Sequence, residues 1–231
     1  MKCAAVSLLF FVPFASPLPS QEADPAERWE EHIRKFEEND KQNPSQANGV
    51  LFVGSSSIRM WDTAKWFPGA GVINRGFGGS QISDVNYFAN RIVLKYRPRV
   101  IVFYAGDNDV AKGKSTKRVL DDFTTFAGLV ARELPESHII YVPIKPSLAR
   151  WKLWPTMREA NAMIERLAEN RDNLHYADTA TPMLGDDGTP RAELFIKDGL
   201  HLSDKGYEIW TGVVGPLIEK TKREPKVTND Q

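Results

Sequence analysis

Short apolar segments that alternate with longer segments of helical periodicity constrain the fold of this chain more than any other feature. Five such segments have the composition of strands buried in a sheet: residues 50–54, 71–74, 100–104, 139–142 and 174–177. Between them, apolar residues recur at helical spacing, as in the predicted helix with Ile82, Val85, Phe88, Ile92 and Tyr96. A right-handed crossover through a helix is the usual link between parallel neighbours. The sequence therefore predicts an α/β fold, a three-layer α/β/α sandwich around a five-stranded parallel sheet.

The length and composition of the chain suit one globular domain. Of its 231 residues, 42% are hydrophobic and 26% are charged, which allows a single substantial core. A helix with Trp29, Ile33 and Phe36 opens this domain, and a helix that starts near Ser203 closes it, with a disturbance expected at Gly215-Pro216. We assign residues 24–221 to the domain and residues 222–231 to a flexible tail.

The N-terminal segment has the layout of a signal peptide. Lys2 precedes an apolar stretch over residues 3–14 and a small, proline-containing segment. We assign residues 1–20 to the signal peptide, with cleavage between residues 15 and 23, and expect an exported protein, periplasmic or secreted. The stretch is shorter than the roughly 20 residues of a membrane-spanning helix, so no permanent span is expected, although an uncleaved anchor remains an alternative.

Charge and ligand patterns exclude several functional classes. Lys plus Arg and Asp plus Glu both number 30, and no basic run could neutralise a series of phosphates, so nucleic acid is not an expected partner. The only cysteine, Cys3, would leave with the signal peptide, and there is no HExxH motif and no cluster at metal-ligand spacing. We therefore expect neither a metal nor another cofactor.

Four polar clusters follow predicted strands or precede the last helix, where open α/β sheets bind their ligands. They are residues 54–59, 74–80, 105–109 and 198–203. The first contributes serine hydroxyls, and the last places Asp198 three residues before His201. Serine becomes an effective nucleophile when such an imidazole takes its proton and a carboxylate orients the ring. Taken alone, the first cluster is also compatible with a serine-rich N-cap, the second with a tight glycine turn and the third with an Asx cap or turn.

The remaining signals are weaker. Ile58 stands where a G-x-S-x-G elbow would have its second glycine, so the α/β-hydrolase motif is absent. His32, His138 and His175 fall on the first helix or on strands, and we interpret them as structural or solvated.

With the four clusters in this order, the chain resembles the SGNH hydrolases, also called GDSL-like lipases and acylhydrolases. Gly54-Ser55-Ser56-Ser57 is similar to the G-D-S-(L/I) block, with Ser55 where the family usually has Asp. Residues 74–79 resemble the N-x-G-x-G-G block, residues 106–109 match G-x-N-D, and residues 198–201 match D-x-x-H. With serine at position 55, the chain resembles the bacterial platelet-activating-factor acetylhydrolase-like branch of the family.

The resemblance implies a serine esterase mechanism and a role for each matched residue. It implies Ser56 as nucleophile, His201 as general base and Asp198 as the group that orients the base. The implied oxyanion hole comprises the Ser56 N–H, the Gly79 N–H and the Asn108 amide, with Gly78 as an alternative to Gly79.

The substrate is less constrained than the mechanism. Because the sequence offers no long apolar lid, we expect a short acyl group, such as an O-acetyl ester of a carbohydrate or small molecule. Arg150 and Trp151, in the loop that starts at Lys145, are the predicted substrate-binding residues, and Trp61, Trp66 and Trp154 are further candidates for stacking on sugar rings. The alternatives are a lysophospholipase or thioesterase with long-chain preference, and a non-hydrolytic carbohydrate-binding protein on the same fold. The sequence leaves the oligomeric state open.

Overall fold

The computed structural model describes residues 25–44 and 47–223. The predicted signal peptide lies outside these residues, and so does the predicted tail beyond Arg223. Residues 222 and 223 still belong to the last helix. In the described part of the chain, no helix combines the length and the apolarity that crossing a membrane requires.

A five-stranded sheet forms the centre of the fold, and all its strands are parallel. The strands are β1 (Val50–Gly54), β2 (Ile73–Gly76), β3 (Val100–Tyr104), β4 (His138–Tyr141) and β5 (Leu174–Tyr176). Their order across the sheet is β2-β1-β3-β4-β5. Every residue of β1 and β3 is buried, as expected for strands covered on both faces.

Helices connect the strands and cover both faces of the sheet. They are α1 (Glu30–Gln42), α2 (Ser56–Arg59), α3 (Thr63–Trp66), α4 (Ile82–Ile92), α5 (Asp107–Ala111), α6 (Thr116–Glu133), α7 (Trp154–Ala168) and α8 (Asp204–Arg223). Short 3-10 turns occupy Pro25–Trp29, Leu94–Tyr96, Trp151–Leu153, Thr181–Met183 and Ala192–Leu194. The predicted helical run up to Tyr96 is thus an α-helix ending at Ile92, followed by a separate 3-10 turn.

Alternate strand residues build two apolar cores, one on each side of the sheet. Leu51 and Phe103 belong to the core covered by α1, α4, α6 and α7. Phe52 and Val102 belong to the opposite core, which α8 covers with Trp210 and other apolar residues. This alternation follows from the two-residue repeat of a strand, and it confirms the predicted three-layer α/β/α sandwich.

Two further elements differ by more than one residue from the sequence-based expectation. Strand β2 spans Ile73–Gly76 and not residues 71–74, because Gly71 adopts φ +59° in the preceding turn and the register pairs Leu51 with Ile73. Helix α8 continues through Pro216 to Arg223. Val214 and Ile218 are buried on either side of the proline, so packing against the sheet maintains the helix despite the missing N–H.

The direction of the chain across the sheet reverses between β1 and β3. The two strands are neighbours, but β1 leads to β2 on one side, whereas β3 leads to β4 on the other. Gly54 and Tyr104 pair at the carboxyl ends of the two strands. Ligands of open α/β sheets bind in the crevice that such a reversal creates, and the loops that follow Gly54 and Tyr104 open into it.

Candidate active site

Ser56 is the first residue of α2, immediately after a sharp turn at the end of β1. Gly54 adopts φ +139°, and a Cβ atom there would lie 1.8 Å from the carbonyl oxygen of Tyr104. Only glycine permits this approach of β1 to β3. Ser55 then donates its N–H to the Tyr104 carbonyl at 2.9 Å, which fixes the start of the turn. The Ser55 side chain is fully buried, whereas the Ser56 side chain reaches the pocket.

The structure brings the predicted nucleophile, base and carboxylate into one hydrogen-bonded chain. His201 Nε2 lies 3.0 Å from Ser56 Oγ, and His201 Nδ1 lies 2.6 Å from Asp198 Oδ2. The other Asp198 oxygen accepts the N–H groups of Leu200 and His201, each at 2.9 Å. The carboxylate therefore fixes both the imidazole ring and the backbone that carries it.

The negative charge of Asp198 determines which nitrogen of the His201 ring carries the proton. The hydrogen bond from His201, together with two backbone N–H groups, lowers the pKa of Asp198 to about 2. An ionised carboxylate can only accept hydrogen bonds, so Nδ1 of His201 must be the donor. In the neutral ring, Nε2 is then an acceptor and faces the hydroxyl of Ser56, as proton abstraction requires.

Hydrogen-bond donors for an oxyanion converge on the same pocket, which has a volume of about 420 Å³. Gly78, Gly79 and Asn108 line it together with Ser56. Gly79 adopts φ +82°, a conformation that glycine allows without strain. Neither Gly78 N–H nor Gly79 N–H has an acceptor within the described part of the chain, so both remain candidates.

The orientation of the Asn108 amide is set by two neighbours. Its Nδ2 donates to the Ser80 carbonyl at 3.0 Å, and its Oδ1 accepts from Arg150 Nη2, also at 3.0 Å. Since an amide nitrogen has two hydrogens, one remains for a ligand. Arg150, predicted as a substrate-binding residue, lines the pocket and also contacts Asn108.

A buried charged cluster, which was not predicted from the sequence, lies beneath these residues. Lys145 is 1% exposed, and its ammonium contacts Ser57 Oγ at 3.1 Å, Tyr104 OH at 2.9 Å and Asp107 Oδ2 at 3.2 Å. Asp107 also pairs with Arg150 at 3.1 Å. Burial raises the pKa of Asp107, but the charges of Lys145 and Arg150 outweigh burial and hold the pKa below its ordinary value. A lysine in a loop sequence gives no signal of such burial, because lysine is normally exposed.

The aromatic residues at the pocket are not the predicted ones. Trp151 does not line the pocket but stacks against Trp154, with 6.2 Å between the ring centroids. Trp61 is buried in the core next to α8. Trp29 and His32 line the pocket instead, and both come from the first helical segment, which comprises the 3-10 turn Pro25–Trp29 and α1. The apolar spacing of that segment indicated only a core-facing helix, so its contact with the site depends on tertiary packing.

The two remaining histidines lie away from the pocket. His138 Nδ1 and His175 Nε2 are 2.9 Å apart on the neighbouring strands β4 and β5. Among residues 25–44 and 47–223, no three His, Cys, Asp or Glu side chains are grouped so that they could hold a metal ion.

Comparison with known proteins identifies the family of this chain. The profile of the GDSL-like Lipase/Acylhydrolase family matches residues 57–209. The chain belongs to this family. It is an SGNH-type ester hydrolase, as the resemblance of its four sequence blocks implied. A human protein named isoamyl acetate-hydrolyzing esterase 1 homolog is 27% identical over 176 residues, which cover 64% of this chain and 68% of the human one.

Solved structures share the fold of this chain. A Streptococcus pneumonia protein named for platelet activating factor superposes with a TM-score of 0.75 at 20% identity, covering 83% of this chain and 93% of its own. A carbohydrate esterase family 3 protein from Talaromyces cellulolyticus gives a TM-score of 0.62 at 20% identity, covering 77% and 99%. At such identities the likeness concerns the fold.

Proposed function

We propose that this esterase hydrolyses carboxylic esters with a short acyl group, such as O-acetyl esters of carbohydrates or small molecules. The observation that carries the proposal is the hydrogen-bonded chain from Asp198 through His201 to Ser56. It contains nucleophile, base and orienting carboxylate at distances that permit proton transfer without rearrangement.

The proposed mechanism passes through an acyl-enzyme. Ser56 Oγ attacks the ester carbonyl carbon while His201 Nε2 takes the hydroxyl proton. The resulting oxyanion accepts hydrogen bonds from the N–H groups of Ser56 and Gly79 and from the Asn108 amide. When the bond to the alcohol breaks, His201 returns the proton to the leaving oxygen. Water then attacks the acyl-serine by the same route, which releases the carboxylic acid and restores Ser56.

The lining of the pocket supports a short acyl group. In the described part of the chain, Trp29 and Leu200 are the only large apolar residues that line it, alongside arginine, histidine and glycine. A long acyl chain would need a continuous apolar surface to leave water. The names of the human isoamyl acetate esterase homolog and of the Talaromyces carbohydrate esterase also favour a short ester. Export through the predicted signal peptide is part of the same proposal.

A series of p-nitrophenyl esters from acetyl to palmitoyl tests chemistry and acyl length together. We expect turnover that is highest for acetyl, falls with chain length and drops by at least about 10³-fold in Ser56→Ala, because no other group in the mechanism attacks the carbonyl. Ser203→Ala is the matched control, since Ser203 Oγ contacts the Glu193 carbonyl and not His201.

The outcomes separate the alternatives. A long-chain optimum that Ser56→Ala abolishes would favour a lysophospholipase or thioesterase. Equal turnover by the wild type and Ser56→Ala would refute the proposed nucleophile.

A further inference from the structure

Arg59 lies at the active-site pocket without a partner for its charge. It is the last residue of α2, three positions after Ser56, so the two side chains lie on the same side of this helical turn. Arg59 is exposed and lines the pocket. Within the described part of the chain, its guanidinium takes part in no ion pair and no side-chain hydrogen bond.

Two other basic side chains at the pocket have an acidic partner within the protein. Arg150 pairs with Asp107, and His201 is hydrogen-bonded to Asp198. The residues that line the pocket in the described structure include two arginines and two histidines but no Asp or Glu. Arg59 therefore leaves uncompensated positive charge at the pocket.

The chain around Gly78 accommodates this guanidinium. A Cβ atom at position 78 would lie 3.0 Å from Arg59 Nε and 3.5 Å from Arg59 Cζ. The absence of a side chain at Gly78 thus allows the guanidinium to lie against the loop at Gly78 and Gly79, beside the candidate oxyanion N–H groups. A planar guanidinium with several N–H groups is well suited to bind a carboxylate or phosphate.

We propose that the alcohol part of the natural substrate carries an anionic group that binds to Arg59. This inference rests on the proposed function, because a short acyl group ends within the site and leaves the alcohol part to contact the pocket lining. The shared chemistry is an oxyanion, which a carboxylate or a phosphate can supply. Arg59 is then a specificity-determining residue for acidic esters.

Three aryl acetates of similar shape test the proposal. They are 3-acetoxybenzamide, which is neutral, 3-acetoxybenzoate, which carries a carboxylate, and 3-acetoxyphenyl phosphate. The measured quantity is kcat/KM for each anionic probe divided by kcat/KM for the amide. Comparing this ratio between variants removes the intrinsic reactivity of each ester.

We expect Arg59→Gln to lower the ratio by about 10- to 100-fold, the range for a hydrogen bond between charged groups. Arg59→Lys should keep part of the ratio, because it retains the charge but loses the planar geometry. Arg132→Gln is the control and should leave the ratio at the wild-type value, since Arg132 pairs with Glu133 on the exposed surface of α6. The anionic probe with the larger Arg59-dependent ratio identifies carboxylate or phosphate as the recognised group.

An unchanged ratio for both anionic probes in Arg59→Gln would overturn the proposal while leaving the esterase function intact. If the wild type hydrolyses none of the probes, the proposed esterase function fails for such esters, and binding then tests Arg59 separately. NMR titration of the intact probes into Ser56→Ala, with and without Arg59→Gln, detects millimolar affinities. Equal affinities for anionic and neutral probes in Ser56→Ala would contradict the proposal.

Discussion

Asp198 lies where water reaches it, yet its carboxylate determines the state of the imidazole beside it. Its side chain is 43% exposed, and its low pKa arises from hydrogen bonds and not from a buried ion pair. A carboxylate with a pKa of about 2 stays ionised throughout the neutral and mildly acidic range. Any loss of activity above about pH 4 therefore reflects another group.

We predict that Asp198→Asn lowers kcat/KM for a short-chain ester by about 10⁴-fold, the effect seen when a triad carboxylate becomes an amide. An Asn amide nitrogen in place of Oδ2 would donate to Nδ1 of His201 and move the ring proton to Nε2. That nitrogen could then no longer accept the proton of Ser56.

Steady-state kinetics at neutral pH measure this effect. Asp204→Asn removes the same charge from a residue that contacts Lys65 and not His201, so it should keep activity within about twofold. An Asp198→Asn enzyme within tenfold of the wild type would contradict the proposed role of the carboxylate.

At the scale of elements, the sequence predicts what depends on local pattern. Ser56, Asn108 and His201 could be found because each follows a strand or precedes the last helix in a short motif. Lys145 and Trp29 could not, because their positions depend on how a loop and a helix pack against distant strands. The start of β2 was misplaced for a related reason, since its register is set by pairing with β1.

Helix α8 also differs from its local sequence pattern, and the energetic cost of that difference can be estimated. Pro216 lies inside the helix and is exposed, so its ring contributes no core packing, and its missing N–H leaves a gap in the helical bonds. Proline in an exposed helix interior costs up to about 3 kcal/mol relative to alanine.

We predict that Pro216→Ala increases the free energy of unfolding by about 1–3 kcal/mol. The added N–H can donate within the helix, and the packing of Val214 and Ile218 is unaffected. Denaturant unfolding measures the change. Gly212→Ala is the matched comparison, because a Cβ atom there meets nothing within 4 Å, and it should contribute about 1 kcal/mol. Destabilisation by Pro216→Ala would show that the proline is accommodated without strain.

At the scale of the whole molecule, the first helical segment completes the pocket and is attached to the body by ion pairs. Trp29 and His32 line the pocket from this segment. Asp40, near the other end of α1, forms an ion pair with Arg75 of β2 and another with Lys95, at 2.6 Å in the latter case. Arg91 of α4 binds two further carboxylates of α1. The ion pairs that hold α1 to the rest of the protein therefore contribute to stability and also keep Trp29 and His32 in place at the pocket.

The pKa of Asp40 makes this attachment sensitive to acid. Burial raises the pKa, but hydrogen bonds from Lys95 and Tyr96 and the charge of Arg75 outweigh burial and leave the pKa below its ordinary value. A carboxylate whose pKa is lowered by folding adds stability above its unfolded pKa, near 4, and loses that contribution as pH falls through the folded value.

We predict that Asp40→Asn lowers the free energy of unfolding at pH 7 by about 2 kcal/mol, the range for a hydrogen bond to a charged group, or about 4–8 °C in Tm. The Tm difference from the wild type should shrink as pH is lowered from about 6 to about 3, because acid removes the same interaction from the wild type. Glu38→Gln, on an exposed position of the same helix, should change Tm by less than about 2 °C. Thermal unfolding followed by circular dichroism across this pH range is the measurement. A Tm difference that stays constant with pH would show that the Asp40 charge does not hold α1 to the sheet. The pocket wall formed by Trp29 and His32 would then depend on apolar packing and on the ion pairs of Arg91.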